Sequence, residues 1–420
     1  MSEKLSVSAQ RTARMQRSAR NIADLRSMAS KRLPRAFFEF VDRGTEDEVA
    51  LQRNRDALEQ IRLSARVFVD IDGRSTETEL FGRKWAMPAA IGPTGVTGLL
   101  WHDGERALAR AAAHAGVPFT LATSSVASVE EIAEIGGNLW YQLYLWRDRA
   151  LSYQMVDCAR QAGFHALVIT VDGVVSPNRE YNLRNGYTVP FHFTASNTLD
   201  VLRHPRWLFG TMGRYLLGGG IPEFKNYPPE VRARVTARTM DRRALLSNPT
   251  LCWDDLRTLR RAWPGPLIVK GIMRPDDARQ AVSLGADAVL VSNHGGRNLD
   301  SAPATIEVLP RITEAVGERA AVLVDSGFRR GSDIVKALAL GARGVLLGRG
   351  PLYGMAAAGE AGAARALAIY REEIDRIIGL LGLRSIADVG PDCIWRDDRT
   401  DQGKRQSFAS TLEGNDDDGT

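Results

Sequence analysis

The chain has 420 residues, of which 44% are hydrophobic and 25% charged, and a formal net charge of +5. That balance implies a packed globular core. Its three cysteines, Cys158, Cys252 and Cys393, are scattered, form no CxxC and stand near no histidine cluster, which argues against a zinc site or disulfide framework and favours a reducing, cytoplasmic setting.

The opening stretch, MSEKLSVSAQRTARMQRSAR, is basic but lacks the apolar core of a signal peptide. No apolar run is long enough to span a membrane. Residues 1–80 are expected to form a helical extension on the main domain, which occupies 81–385. There one unit recurs: an alanine-rich helix, a glycine, then a short β-branched and aliphatic run. It is written ARAAAHAGVPFTLAT, CARQAGFHALVIT, ARQAVSLGADAVLVS and VKALALGARGVLLG. Glycine ends each helix and a fully buried strand follows. Strands alternating with helices pair in parallel.

Eight strands are predicted: Pro88–Gly95, Pro118–Ser125, Leu139–Leu145, Ala166–Asp172, Leu267–Ile272, Ala288–Gly296, Ala321–Gly327 and Gly344–Gly350. These close naturally into a (β/α)8 TIM barrel. An open doubly wound sheet is the alternative and would need a less regular repeat. One connection is long, an insertion over 173–266 after the fourth strand. The excess positive charge sits there, with nine Lys/Arg against four Asp/Glu between Thr198 and Arg243. A basic patch confined to one insertion indicates a surface contact rather than nucleic-acid binding. The end, 397–420, is almost without apolar residues and is expected to be a disordered tail.

Chemistry in such barrels sits at the C-terminal ends of the strands. There the hydrophobic runs stop at polar groups. In SNHGGRNLD (292–300), His294 can take a proton near neutral pH, two glycines let a ligand approach the backbone, and Arg297 can clamp a carboxylate. Asp172 can stabilise an imidazolium on His294, or cap a helix. Lys270 ends LIVKGI and can meet negative charge developing in the barrel mouth, or simply snorkel. In DSGFRRGSDIVKALALGARGVLLGRG (325–350), a Gly-Ser-Asp helix start and the ends of strands seven and eight suit a phosphate, with Arg329 and Arg349 adding charge.

These residues resemble the FMN-dependent 2-hydroxy-acid oxidases and dehydrogenases over roughly residues 20–390. The motifs are LPRAFFEFVDRGTEDE, IGPTG, WYQLY, TVD followed by Arg179, VKG, SNHGGR and DSGFRRGSDIVKALALGA, the last similar to mandelate and lactate dehydrogenases. The resemblance implies His294 as base with Asp172 as partner, Arg297 and Arg179 as carboxylate clamp, and Tyr144 beside the reacting hydroxyl. Lys270 is similar to the lysine beside the flavin ring. Pro93, Thr94, Gly95, Gln142 and Thr170 resemble ring contacts; Ser292, Asp325, Ser326, Gly327, Arg329, Gly348 and Arg349 fall among the cofactor-binding positions. The implied cofactor is FMN rather than FAD, since the loops serve one terminal phosphate and no adenine site is evident. A homotetramer is also implied.

Three positions bear on the substrate. Phe40 stands where a carboxylate-binding tyrosine is usual, Ala122 where a flavin-contacting serine is usual, and Ser124 where some short-chain oxidases carry tryptophan. A larger or aromatic hydroxy acid is therefore expected. In the insertion, LDVLRHPRWLFGTMGRYLLGGGI (199–221) mixes aromatic and aliphatic residues with Arg203, Arg206 and Arg214, which suits an interface facing anionic lipid, with a quinone as acceptor. A lid or oligomer contact is the other reading of that segment. Rival functions are an oxygen-using oxidase, a phosphate-binding lyase or isomerase, and a non-catalytic barrel.

Overall fold

The structure, a computed structural model, describes Met15 and residues 18–186, 194–235 and 248–396. The expected disordered tail at 397–420, and Arg238, Arg242 and Arg243 of the basic insertion, lie outside the described residues.

Ten strands are present among the described residues. β1 (Thr78–Leu80) and β2 (Arg83–Trp85) form an antiparallel hairpin. β3 (Ala89–Ile91), β4 (Phe119–Ala122), β5 (Leu139–Leu143), β6 (Ala166–Thr170), β7 (Leu267–Ile272), β8 (Ala288–Val291), β9 (Ala321–Val324) and β10 (Gly344–Leu347) close a barrel in chain order. The closing pair, β10 and β3, is parallel and sets Val345 opposite Ala89.

Both faces of these strands are buried, so their sequences run apolar without visible alternation. The period of two is still present. Ala166 and Val168, Ala288 and Leu290, and Ile268, Leu323 and Leu346 belong to the interior cluster. Their neighbours Leu167, Ile169, Val289 and Val291 pack outward. Two residues further along the inward register stand Gln142, Thr170, Lys270, Ser292, Asp325 and Gly348. The pleat itself delivers the polar residues to the mouth.

β7 has the predicted bounds; the other seven barrel strands are shorter than predicted, chiefly because the polar residues at their C-terminal ends leave the ladder to line the mouth. The β1–β2 hairpin was not predicted and falls partly within the helical extension expected over 1–80. Its signal was the pair Phe81-Gly82, both at positive φ, which is the geometry of a tight hairpin turn. The hairpin plugs the barrel floor with Leu80 and Trp85, the latter edge-on to Trp140 at 5.5 Å.

From Ile22 onward three helices precede the hairpin: α1 (Ile22–Arg32), α2 (Arg35–Asp42) and α3 (Val49–Gln60). Asn21 and Asp24 form a capping box that starts α1. α2 ends over the barrel mouth. Within the long connection, short helices run from Ala195 to Gly218. They are anchored by Trp207, whose ring lies 4.5 Å from Phe37 and whose indole N–H donates to the Leu99 carbonyl at 2.8 Å.

The final helix, Arg349–Leu380, breaks at Ala358 and Gly359. The break folds Gly354 against Gly362, and a Cβ on Gly362 would lie 1.9 Å from the Gly354 carbonyl oxygen. No side chain larger than hydrogen fits, and this contact fixes where the helix begins at the barrel mouth. Gly362→Ala should cost about 1–3 kcal/mol as an overpacking change, read as a lower midpoint in a denaturant titration.

Candidate active site

A cavity of about 420 Å3 opens at the C-terminal mouth of the barrel. It is lined by Phe40, Pro93, Thr94, Gly95, Gln142, Tyr144, Thr170, Arg179, Lys270, His294, Arg297, Asp325, Ser326, Gly327, Arg329, Gly348 and Arg349. Two further residues singled out in the sequence, Asp172 and Ser292, stand behind that wall and bond to residues in it.

His294 adopts φ 58° in the loop after β8, an uncommon backbone state for a side chain with a Cβ. The turn points its imidazole into the mouth. Nδ1 lies 3.0 Å from Asp172 Oδ1, and Nε2 lies 3.5 Å from the Tyr144 hydroxyl. Burial lowers the His294 pKa below the usual histidine value; Asp172 opposes this, while Lys270 and Arg179 add to it. Burial alone would raise the Asp172 carboxyl, but His294 and Lys270 outweigh it and hold the group at about 2. Burial and the Asp172 charge push Tyr144 up to about 12. Near neutral pH the trio is therefore a neutral imidazole, a carboxylate and an intact phenol.

Lys270 is 4% exposed. Its ammonium donates to Ser292 Oγ at 2.7 Å and sits 3.5 Å from Asp325 Oδ2. Burial would lower its pKa, but Asp325, Asp172 and Tyr144 more than compensate and raise it. It is a fixed cation beneath the cavity.

Arg179 and Arg297 form the opposite wall. The Arg179 Nε–H donates to the Arg297 carbonyl at 3.3 Å. Arg297 donates to the carbonyls of Phe40 at 2.6 Å and Arg43 at 3.0 Å, with its guanidinium 5.1 Å from the centre of the Phe40 ring. Burial, then the Arg297 charge, brings Arg179 down to about 9. Among the described residues neither guanidinium is paired with a carboxylate. Two half-buried cations without an anion constitute a receptor for one.

Arg349 lines the cavity, but its guanidinium is bonded to the carbonyls of Val41, Gly295 and Arg43 at 2.8, 2.9 and 3.0 Å. It clamps the end of α2 to the loop carrying His294. Around the expected phosphate end, the helix Gly331–Ala339 begins with its donors already used: Asp333 accepts from the Arg329 and Arg330 N–H groups, and Glu373 from Gly331. The helix beginning at Arg349 has no side-chain cap, and nothing lies within 4 Å of a Cβ placed on Gly348. An anion fits at that open end, with Arg329 beside it. Gln142 donates to Thr170 Oγ1 at 3.0 Å, so the pair presents a fixed polar edge. These residues fit a flat heterocycle with a phosphorylated tail, as FMN is.

The sequence reading did not assign Asn298, which donates to the Asp172 carbonyl at 2.8 Å, although it lies within the quoted SNHGGRNLD. It also missed Tyr227, whose hydroxyl is 3.0 Å from Ser124 Oγ. Nothing in the insertion's composition marks that tyrosine, because the contact depends on how the insertion folds back.

The family model for FMN-dependent dehydrogenases matches residues 29–396. The chain is 41% identical to (S)-mandelate dehydrogenase of Pseudomonas putida over 379 residues, covering 89% of this chain and 93% of that protein. It is also 41% identical to L-lactate dehydrogenase of Chromohalobacter salexigens over 377 residues, 88% and 94% of the two chains. A crystal structure of monotopic membrane protein (S)-mandelate dehydrogenase matches with a TM-score of 0.84 at 40% identity, covering 90% of this chain and 100% of that one. A soluble mutant of membrane-associated (S)-mandelate dehydrogenase from Pseudomonas putida matches at 0.75 with 39% identity, covering 90% and 99%. The chain belongs to the FMN-dependent dehydrogenase family, and its cofactor is FMN.

The electrostatics of the trio give a sign that can be tested. Asp172 favours the imidazolium, so its removal should lower the His294 pKa further. In Asp172→Asn the His294 ring, followed by imidazole NMR against pH, should titrate at lower pH than in the parent protein.

Proposed function

We propose that the chain oxidises a small 2-hydroxy acid, lactate- or mandelate-like, to the 2-keto acid. The observation that carries this is the pair Arg179 and Arg297, half-buried and, among the described residues, without a carboxylate, on the same cavity as the neutral imidazole of His294. When bound, FMN supplies the two-electron acceptor.

Arg179 and Arg297 hold the substrate carboxylate. Tyr144 bonds the reacting hydroxyl. His294 takes a proton at Nε2, and Asp172 stabilises the resulting imidazolium at Nδ1. Lys270, fixed by Ser292 and Asp325, provides positive charge where negative charge accumulates. Pro93, Thr94, Gly95, Gln142 and Thr170 bound the ring end of the cofactor. Asp325, Ser326, Gly327, Arg329, Gly348 and the backbone of Arg349 bound its tail. This constellation exceeds what a phosphate-binding lyase or isomerase requires.

Phe40 offers Arg297 a ring face and no hydroxyl, so carboxylate binding depends on the arginines. Burying apolar substrate surface, at about 25 cal/mol per Å2, compensates most for large side chains. That favours aryl or longer-chain acids over glycolate, in line with the similarity to mandelate dehydrogenase.

The segment 199–221 is read as a peripheral contact with the inner face of the cell membrane. Leu217 is 92% and Phe209 72% exposed, Leu199, Leu202 and Leu216 are also exposed, and Arg203, Arg206 and Arg214 stand exposed among them. No helix among the described residues is long and apolar enough to cross a membrane. Apolar side chains at the surface flanked by arginines suit an anionic interface, and the similarity to a monotopic membrane protein agrees. A lipid-borne quinone is then the proposed acceptor, oxygen the alternative. A homo-oligomer, a tetramer by resemblance, is proposed as well, and exposed Val67 and Phe68 offer apolar surface for it.

Two outcomes are expected. His294→Gln should retain FMN, yet its reduction on anaerobic mixing with substrate should slow by about 10²–10⁴; reduction at the parental rate would remove His294 from the role. Leu216→Asp/Leu217→Asp should abolish co-flotation with anionic phosphatidylglycerol vesicles while activity with a soluble dye acceptor persists. Unchanged flotation would reject the anchor.

A further inference from the structure

We infer that Ser124 and Tyr227 form a hydrogen-bonding subsite for the substrate side chain, selecting a 2-hydroxy acid that carries an oxygen acceptor there. This rests on the reading of the cavity as a 2-hydroxy-acid site.

Ser124 follows β4 and lines the cavity. Tyr227 comes from the insertion and is 1% exposed. Its ring is fixed on two sides, stacked on Phe224 at 5.0 Å and edge-on to Trp146 at 4.8 Å. Asn226 secures the same turn by donating to the Ala122 carbonyl at 3.4 Å. The phenol is therefore held in place with its hydroxyl 3.0 Å from Ser124 Oγ.

Two hydroxyls share that contact, and only one can donate in it. If Ser124 donated, the Tyr227 proton would be buried with no acceptor among the described residues, which is costly. If Tyr227 donates, the Ser124 proton is left over, and Ser124 faces the cavity. The second arrangement satisfies the buried group. It also leaves a serine hydroxyl that already accepts one hydrogen bond and presents its proton to the ligand. Ala122 and Gly95, the small residues beside it on the cavity wall, leave that proton accessible. The carboxylate end of the substrate is occupied by Arg179 and Arg297 and the hydroxyl end by His294 and Tyr144. The side chain is what remains to meet Ser124. A hydroxyl, ether or carbonyl oxygen there accepts the serine proton; a methyl of similar size does not.

The test uses the FMN-loaded enzyme and (S)-mandelates carrying either a hydroxyl or a methyl at the ortho, meta or para ring position. The readout is the hydroxyl-to-methyl ratio of kcat/KM, in which changes in active fraction cancel. In the parent protein the ratio should exceed one by about 3- to 10-fold at one ring position, the worth of a neutral hydrogen bond. Ser124→Ala should bring it to one or below, and Tyr227→Phe should reduce it. A parental ratio at or below one at every position, or a ratio that survives Ser124→Ala, overturns the subsite. Reduction by lactate but by none of the aryl acids overturns the subsite and spares the 2-hydroxy-acid reading. Reduction by no 2-hydroxy acid overturns both.

Discussion

Lys270 is buried and Arg179 and Arg297 half-buried around one cavity, and the rest of the site depends on what that costs. An isolated buried charge is strongly disfavoured. Lys270 is compensated by Asp325 and Asp172 and stays a cation. Arg179 is not compensated; burial and Arg297 pull it down to about 9. In the proposed function a substrate carboxylate would supply the missing countercharge, concentrating binding energy where orientation matters. Burial, with Lys270 and Arg179 adding to it, keeps His294 neutral and ready to accept a proton. Asp172 tempers this enough for the imidazolium to form. One arrangement of charge thus recruits the anion and sets the protonation state of the base.

Backbone geometry carries this arrangement. The inward register that fills the barrel with Val168, Ile268, Leu290 and Leu323 continues into Thr170, Lys270, Ser292 and Asp325 at the mouth. Arg349 and Arg297 then tie the end of α2 across the opening through the carbonyls of Phe40, Val41 and Arg43. The N-terminal helices are in this way part of the site, and their removal would leave Arg297 without the Phe40 and Arg43 carbonyls and Arg349 with the Gly295 carbonyl alone.

Much of this was legible in the sequence, for a physical reason. Polar residues at the ends of apolar strands are conspicuous, and barrel closure brings every strand end to one place, so His294, Arg297, Lys270 and the 325–350 loop converge without knowledge of side-chain detail. What the sequence did not reveal depends on finer geometry. Arg349 reads as a phosphate ligand by its position after strand eight, but its side chain turns to backbone carbonyls. The Gly-Ser-Asp helix start reads as a phosphate cradle, but Asp333 and Glu373 occupy its donors. Tyr227 reaches Ser124 only because Pro222–Val235 folds back on itself, a non-local contact with no periodic signature. The hairpin under the barrel was hidden by its three-residue strands.

The insertion joins two properties usually assigned to separate parts of a protein. Its first half exposes leucines and arginines on the surface; its second half places Tyr227 behind Ser124 of the cavity wall. Trp207 and Tyr215 fasten it to the loop after β3, through the Leu99 carbonyl and the Asp103 N–H, and that loop borders the cavity. Both halves matter only if the half-buried guanidiniums and His294 serve a 2-hydroxy acid. The direct measurement is a single anaerobic turnover with excess FMN-loaded enzyme and (S)-mandelate or L-lactate, following flavin absorbance and 2-keto acid together. One keto acid formed per flavin reduced is the predicted result; a flavin that stays oxidised with both acids, in protein that retains FMN, would contradict it.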